Sequence, residues 1–361
     1  MTTTLLPHPA TRTALPPVGP AWFGAVMGTG ILASISQTLA PDLWVARGLL
    51  VIGWLLLVGL TVGFAARSVR SPGVLGASLR VGPLPLWGMV SMGALAVGSA
   101  TATVLPSWWP ALAGPAVLVD GILWTLGTLI GLATTIGFTA MLIRSDAGQP
   151  TTVWGLAVVP PMVSATVGAG LVPHLPTTAL QLAMLMVTSA CFVLSLALGA
   201  VIFAVAYHHL WRVAGLAVGA STTAWIPLGV VGQSTAAAQA MAGQAGHLLP
   251  AALAGAVQDI ANDYGVLMLG LGVPLAAWAV AMTIRGFRHR MPFVPGWWSL
   301  TFPIGTLALG SHLLGVGTGM TVFLFAGVVG ALVLCGTWTL CAVASGLCSR
   351  SREFARGGIG S

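Results

Sequence analysis

The sequence has no lysine and very few charges of either sign. Its 361 residues include 13 basic residues, all arginine, and only six acidic ones, so 5% of the chain is charged, where an ordinary soluble domain has about 25%. Hydrophobic residues make up 57%, and the mean hydropathy is +0.98. A soluble core in a chain of this length cannot enclose so much apolar surface. The composition therefore predicts a protein that crosses a membrane several times.

The groups needed for catalysis, metal binding and nucleotide binding are also missing. The sequence contains no phosphate-binding loop, no nucleophile motif and no His/Cys cluster. Its four cysteines are not spaced as in metal or redox sites. We therefore interpret them as small hydrophobic side chains. We therefore expect no enzyme activity, no cofactor and no metal. The net charge of +7 is explained by the enrichment of arginine in cytoplasmic loops, so no nucleic-acid partner is expected.

Hydropathy predicts ten membrane-spanning helices. With the N-terminus inside, every arginine except Arg47 falls on the cytoplasmic side, as the positive-inside rule requires. The first twenty residues have no apolar run, so we expect no cleaved signal peptide. We predict a multi-pass protein of the inner (plasma) membrane, with a transmembrane domain at 20–345 and short cytoplasmic tails at 1–19 and 346–361. The predicted spans are 20–39, 46–66, 84–105, 116–143, 152–172, 180–206, 221–243, 264–284, 297–315 and 320–345.

A weak internal repeat indicates how these spans are arranged. Each odd-numbered span opens with a tryptophan, at separations of 65, 67, 71 and 73 residues: Trp22, Trp87, Trp154, Trp225 and Trp298. Tryptophan is enriched at membrane interfaces in any case, but here small residues, glycine and proline follow each one, whereas the even spans are richer in large aliphatic residues. Repeats of this kind recur in transporters. We predict an all-α fold of five helical hairpins in a pseudo-fivefold ring, with odd helices lining a central pore and even helices outside.

The span 297–315 is unlike a plain membrane anchor. It reads WWSLTFPIGTLALGSHLLG, carries no charge, and is interrupted by Pro303 and thinned by three glycines. Five helices of about 10 Å diameter leave a hole of only ~3–4 Å radius, which stays open only with small lining residues. Four residues after each tryptophan, Phe302 is the single aromatic residue, so we predict that it gates the pore. The predicted lining residues are Gly28, Gly30, Ser91, Pro161, Pro227, Gly229, Pro303 and Gly305.

The polar residues of the odd spans favour anions as the substrate. None of these spans contains Asp, Glu or Arg, which argues against a carboxylate-lined cation pore and a buried proton relay. Helix N-termini bind anions without a formal charge. Asp120, in the fourth span, is expected to be paired or exposed at the outer vestibule. The hydroxyls expected along the path are Thr29, Ser91, Ser164, Thr166, Ser234 and Thr301.

Two segments carry a family resemblance: PAWFGAVMGTGILA at Pro20–Ala33 and WWSLTFPIGTLALGS at Trp297–Ser311. They resemble the tellurite-resistance/dicarboxylate transporter family, and with the ten-span plan the resemblance extends over residues 18–345. It implies a homotrimer with one pore in each protomer, occluded by a phenylalanine on the ninth helix, which corresponds to Phe302.

Three functions remain open at this point. The first is a channel or transporter that passes small inorganic anions or C4-dicarboxylates across the lipid bilayer through a neutral pore. The second is a proton-coupled exporter or carrier of sulfite, malate or tellurite. The third is a membrane sensor or scaffold without transport activity. The sequence does not choose among chloride, nitrate, sulfite, tellurite and malate.

Overall fold

The protein is a bundle of long helices. A computed structural model describes residues 16–357, and the side chains of that range as far as Cys348; within it there is no strand. The α-helices of this part are α1 (Phe23–Leu39), α2 (Val45–Arg70), α3 (Val74–Ser78), α4 (Trp87–Trp108), α5 (Ala113–Arg144), α6 (Gly155–Val158), α7 (Pro160–Leu171), α8 (Thr178–Arg212), α9 (Ile226–Leu248), α10 (Ala251–Arg288), α11 (Phe302–Thr318) and α12 (Thr321–Gly357).

Seven helical segments in the described range are long and apolar enough to cross a membrane, and the bent pair α6 and α7 makes an eighth if it is one span. The predicted first and seventh spans are not among them. α1 has 17 residues, the short end of what crosses a bilayer, and three glutamines reduce the hydropathy of α9. The structure therefore supports an all-helical, multi-pass protein, and the count of ten spans stays a prediction.

The helices fall into five inner and five outer segments. The inner segments α1, α4, α7, α9 and α11 contact one another in that order, and α11 also contacts α1. Each inner segment packs against the helix that follows it: α2, α5, α8, α10 and α12 respectively. These contacts are cyclic in order, and the ring of ten helices in five hairpins stays a prediction.

The tryptophan repeat marks the start of each inner segment. A 3-10 turn ends at or beside each tryptophan of the repeat, except that Trp298 lies within its own turn. The indole N–H of Trp225 donates to Thr283 Oγ1 on α10 at 2.9 Å. That of Trp298 donates to Ser345 Oγ on α12 at 3.3 Å. These two tryptophans thereby fix the start of an inner helix to its outer partner.

Proline determines where two inner segments break. α6 and α7 meet at an angle of 41°, and α7 begins at Pro160, whose missing N–H costs nothing in a first turn. In the predicted ninth span, a 3-10 turn (Pro295–Leu300) is separated from α11 by Thr301. Pro303 therefore lies in the first turn of α11 and starts this helix instead of kinking it.

The outer helices are longer than the hydropathy predicts. α10 begins at Ala251, ahead of the predicted boundary at 264, because a polar stretch containing Gln258 and Asn262 is helical without being apolar. The predicted N-terminal tail lies outside the described residues except for 16–19. α12 continues to Gly357, and the rest of the predicted C-terminal tail lies outside them.

Candidate functional site

The inner helices enclose a cavity of about 80 Å³ near their N-terminal ends. The inner helices α1, α4, α9 and α11 contribute to its walls, and so does Val159, the residue directly before α7. The lining residues farthest along their helices are Met27, Met92, Val159, Gly229, Phe302 and Pro303. The residues nearer the helix starts are Ala21, Leu86, Met89, Val153, Leu156, Thr223, Ile226, Pro295, Gly296 and Ser299. The cavity is therefore a chamber at one end of the bundle.

Phe302, the first residue of α11, is a buried member of the chamber lining. Its side chain is 3% exposed. The preceding residue, Thr301, donates its hydroxyl to Trp298 O at 2.7 Å and packs directly against the Cα of Gly28. Thr301 is therefore anchored directly before Phe302, whose ring is the only aromatic side chain in the lining.

The chamber is electrically neutral. Its lining contains no charged side chain, and Thr223 and Ser299 are its only side chains with a polar atom capable of strong hydrogen bonds. Ser299 Oγ lies 2.7 Å from both Thr222 O and Gly296 O. Thr223 Oγ1 donates to Ala220 O at 2.8 Å. These protons are used within the protein, and the helix N-termini around the chamber contribute positive potential.

Two arginines near this end of the bundle support loops. Arg67 donates from Nη1 to Val18 O at 2.8 Å, and Arg285 donates from Nη1 to Leu216 O at 2.9 Å. Each joins the end of an outer helix to the segment that leads into an inner one. Their guanidinium groups therefore act as structural braces as well as charges.

The structure brings three of the predicted pore residues, Gly229, Phe302 and Pro303, into the chamber lining. The other predicted glycines lie between inner helices. A Cβ at Gly30 would stand 2.8 Å from Ala96 Cβ, and one at Gly305 would stand 2.8 Å from Ile31 Cγ2. Gly28, Gly30 and Gly305 thus permit close helix packing.

The remaining predicted residues also lie outside the chamber lining. Ser91 donates its hydroxyl to Gly127 O on α5 at 2.6 Å, so it faces an outer helix. Pro161 and Pro227 are buried in the first turns of α7 and α9. Among the predicted hydroxyls, that of Thr29 accepts from the indole of Trp338 on α12.

The chamber residues that the sequence interpretation missed follow the same repeat. The lining residues Met27, Met92 and Val159 lie five positions after their tryptophans, whereas Gly229 and Phe302 lie four after theirs. A comparison at a constant four positions therefore selected Ser91 and passed over Met92. The offset changes because the 3-10 turns differ in length, which the sequence repeat does not reveal.

Asp120 on α5 is neither paired nor exposed, contrary to expectation. Its side chain is 4% exposed, and Oδ1 has no hydrogen-bond partner within the described part of the chain. The carboxyl lies against Gly98 of α4, where a Cβ would stand 2.7 Å from Oδ1. The absence of a side chain at Gly98 makes room for this buried acid.

Long apolar helices around a neutral chamber are typical of a membrane channel or transporter. The chain belongs to the SLAC1 family, described as voltage-dependent anion channel, which it matches over residues 17–345. It is 26% identical over 307 residues to the uncharacterized transporter MJ0576 of Methanocaldococcus jannaschii, covering 81% of this chain and 82% of that protein. It is 24% identical over 341 residues to the sulfite efflux pump SSU1 of Arthroderma otae, covering 89% of this chain and 88% of the relative.

Proposed function

We propose that this protein passes small anions through a neutral pore inside each protomer and that Phe302 is the gate. The observation that carries the proposal is the position of Phe302, which is the first residue of α11 and the only aromatic ring in the chamber lining. A pore of ~3–4 Å radius between five helices is narrow enough for one phenylalanine ring to close.

The electrostatics of the chamber support an anionic substrate. Five inner segments direct their N-terminal ends toward it, and no charged side chain lines it. Partial positive charge at helix N-termini attracts anions without binding them so tightly that they cannot leave. The relative that is named a sulfite efflux pump supports sulfite as the first substrate to test, ahead of chloride, nitrate, tellurite and C4-dicarboxylates.

The proposal includes the arrangement in the membrane. Ten spans place both termini in the cytoplasm of the cell, so the chamber opens toward the cytoplasm and anions leave through the opposite half of the inner ring. Three protomers assemble into a homotrimer with three separate pores. The supporting observation for this orientation is the distribution of arginine, which the positive-inside rule explains.

Anion flux into proteoliposomes tests the gate. Phe302→Ala is expected to raise sulfite and chloride flux by about tenfold or more at clamped voltage, because it removes the ring that closes the pore; tenfold corresponds to about 1.4 kcal/mol of barrier. Phe325→Ala is the matched control, since Phe325 on α12 is 69% exposed on the outside of the bundle. Unchanged flux through folded Phe302→Ala protein would count against the gate.

A proton-coupled exporter is the second candidate, and the buried carboxyl of Asp120 is the observation that favours it. The segments α4, α6 and α7, which pack against α5, carry no charged side chain. A carboxyl buried without a partner inside a membrane is by default a functional group.

Asp120→Asn tests proton coupling. If the protein is a coupled exporter, the variant is expected to lose the stimulation of sulfite flux by a pH gradient while keeping its thermal stability, since Asn has the same shape and no proton to release. Stimulation that persists in this variant, or that is absent from the wild type, eliminates Asp120 as the coupling group.

A further inference from the structure

Four of the five inner segments carry a polar side chain seven residues beyond a chamber residue. Seven residues are nearly two helical turns, so the two positions share one face. These side chains are separated by 65, 67 and 67 residues, the same separations as the chamber residues Met27, Met92, Val159 and Ile226. We call the four residues the polar collar: Ser34, Ser99, Thr166 and Gln233. On α11, the residue seven positions after Phe302 is Leu309.

The serines of the collar lie at a similar depth on neighbouring helices. α1 and α4 approach closely where Gly30 meets Ala96, since a Cβ at Gly30 would stand 2.8 Å from the carbonyl carbon of Ala96. Ser34 and Ser99 lie one turn beyond this crossing, on α1 and α4 respectively. Both side chains are half-buried.

The depth of Ser34 relative to the gate follows from a second crossing. Gly28 on α1 packs against Thr301, the residue before Phe302. Ser34 is six residues farther along α1, which corresponds to about 9 Å of helix. The serines of the collar therefore lie beyond the gate as seen from the chamber.

The other two collar residues are bonded to each other. Gln233 Nε2 donates to Thr166 Oγ1 at 2.7 Å, which joins α9 to α7. The neighbouring Gly232 packs against the backbone of Leu307, five residues or about 8 Å beyond Phe302. All four side chains thus lie about one and a half turns beyond the gate.

The collar has one buried acceptor without a donor. Gln233 is 2% exposed, and its Oε1 has no hydrogen-bond partner among the described residues. The Thr166 hydroxyl donates its proton to Met162 O at 3.3 Å. It therefore accepts the hydrogen bond from the Gln233 amide N–H, and Gln233 Oε1 is left without a donor. A buried carbonyl oxygen without a donor is unfavourable, so a ligand that supplies a donor gains from binding there.

The hydroxyls of the collar are weakly engaged. Ser34 Oγ lies 3.3 Å from Gly30 O, as far as Thr166 lies from its acceptor, whereas a good O–H···O bond measures about 2.7–2.8 Å. Thr29 on α1 and Thr101 on α4 each make such a bond at 2.7 Å. The hydroxyls of Ser34 and Thr166 therefore lose only a long hydrogen bond if they turn toward a ligand.

We propose that the polar collar binds and selects an oxyanion that carries its own proton, such as hydrogensulfite. The oxygens of this ligand accept hydrogen bonds from the serine and threonine hydroxyls. Its own O–H donates a hydrogen bond to Gln233 Oε1. Chloride satisfies the hydroxyls only and leaves Oε1 without a donor. The proposal rests on the proposed anion pathway and adds a substrate class to it.

The test compares sulfite with chloride in the Phe302→Ala background, in proteoliposomes at neutral pH and clamped voltage. Gln233→Met keeps the length of the side chain and removes the acceptor. The ratio of sulfite flux to chloride flux is expected to fall by about tenfold, since one lost buried hydrogen bond is worth about 1.4 kcal/mol.

Gln239→Met is the matched control. Gln239 is also a buried glutamine on α9, but its Oε1 accepts from Gln258 at 2.8 Å and its Nε2 donates to Asn262 at 3.1 Å. This substitution is expected to leave the sulfite-to-chloride ratio unchanged. Ser99→Ala provides a second collar variant with a small volume change, and it should lower the same ratio to a lesser extent.

A binding measurement separates this proposal from the pore itself. Sodium sulfite is expected to raise the melting temperature of the purified wild type more than sodium chloride at equal ionic strength, and Gln233→Met should abolish the difference. An equal loss of both fluxes, or an unchanged ratio and an unchanged melting shift, overturns the collar. If Phe302→Ala carries no anion while sulfite still stabilises the wild type through Gln233, the proposal that Phe302 is the gate is wrong. The proposal that the polar collar binds the oxyanion is then retained.

Discussion

The inner and outer helices have different surroundings, and the outer helices are the more apolar of the two sets. In the segment Leu84–Trp108, which contains α4, 72% of the apolar stretch is buried within the protein, against 11% for Thr321–Cys348 in α12. The outer helices are apolar because their large aliphatic side chains face the hydrocarbon of the lipid bilayer. The inner helices are apolar because other helices surround them.

Glycine has a different role in the two sets. On the inner helices many glycines mark places where two backbones touch, such as Gly232 against Leu307. On the outer helices, Gly59 of α2 has open space where a side chain would be. In a membrane, where lipid offers no hydrophobic force between helices, close packing of this kind holds the inner ring together.

The largest expected effect separates these two kinds of glycine. Gly232→Ala places a Cβ about 2.6 Å from the Cα of Leu307, which forces α9 and α11 apart. We expect a loss of about 1–3 kcal/mol and a clear fall in the melting temperature measured in detergent. Gly59→Ala should be neutral or slightly stabilising, since alanine is the better helix former. Equal melting temperatures for the two variants would remove the distinction.

An intermediate effect is expected at a glycine that faces the chamber. A Cβ at Gly229 would stand 3.8 Å from Pro303 Cγ, an ordinary contact, so Gly229→Ala should fold with an unchanged melting temperature. The added methyl group narrows a pore of ~3–4 Å radius. In the Phe302→Ala background we therefore predict a several-fold lower chloride flux. Unchanged flux would show that the anion path avoids Gly229.

The smallest effect concerns the link between the two sets of helices. Trp225→Phe keeps the buried ring but removes the hydrogen bond to Thr283 Oγ1, so we expect a loss of about 1 kcal/mol in stability. Thermal melting in detergent measures it. The variant Thr283→Val removes the same bond from the α10 side, and the double variant should be no less stable than the worse single one.

Much of the architecture could be predicted from the sequence. The scarcity of charge indicated a membrane protein, and the tryptophan repeat located the starts of the inner segments. The proposed gate, Phe302, was selected by its place in that repeat and lies in the chamber lining. The lengths of the outer helices were underestimated, because a helix such as α10 continues beyond the apolar layer with polar residues that hydropathy ignores.

The orientation of individual inner side chains could not be predicted. An amphipathic helix reveals its buried face through its periodicity, but an inner helix is surrounded by protein on nearly every side and has no polar face to read. Ser91 and Ser99 lie on the same helix and look equivalent in the sequence. Ser91 donates to the carbonyl of Gly127 on α5, whereas Ser99 lies on the face that Met92 presents to the chamber.

The sequence by itself determined the class of protein and its all-helical character, because these depend on composition and on apolar runs along the chain; the regular spacing also led to the prediction of a gate at Phe302. The tertiary structure decided which small and polar residues face the axis, where the chamber ends, and that Asp120 and Gln233 each keep an unpaired buried oxygen. These properties depend on contacts between residues far apart in the chain, such as Trp338 with Thr29, which no local pattern encodes.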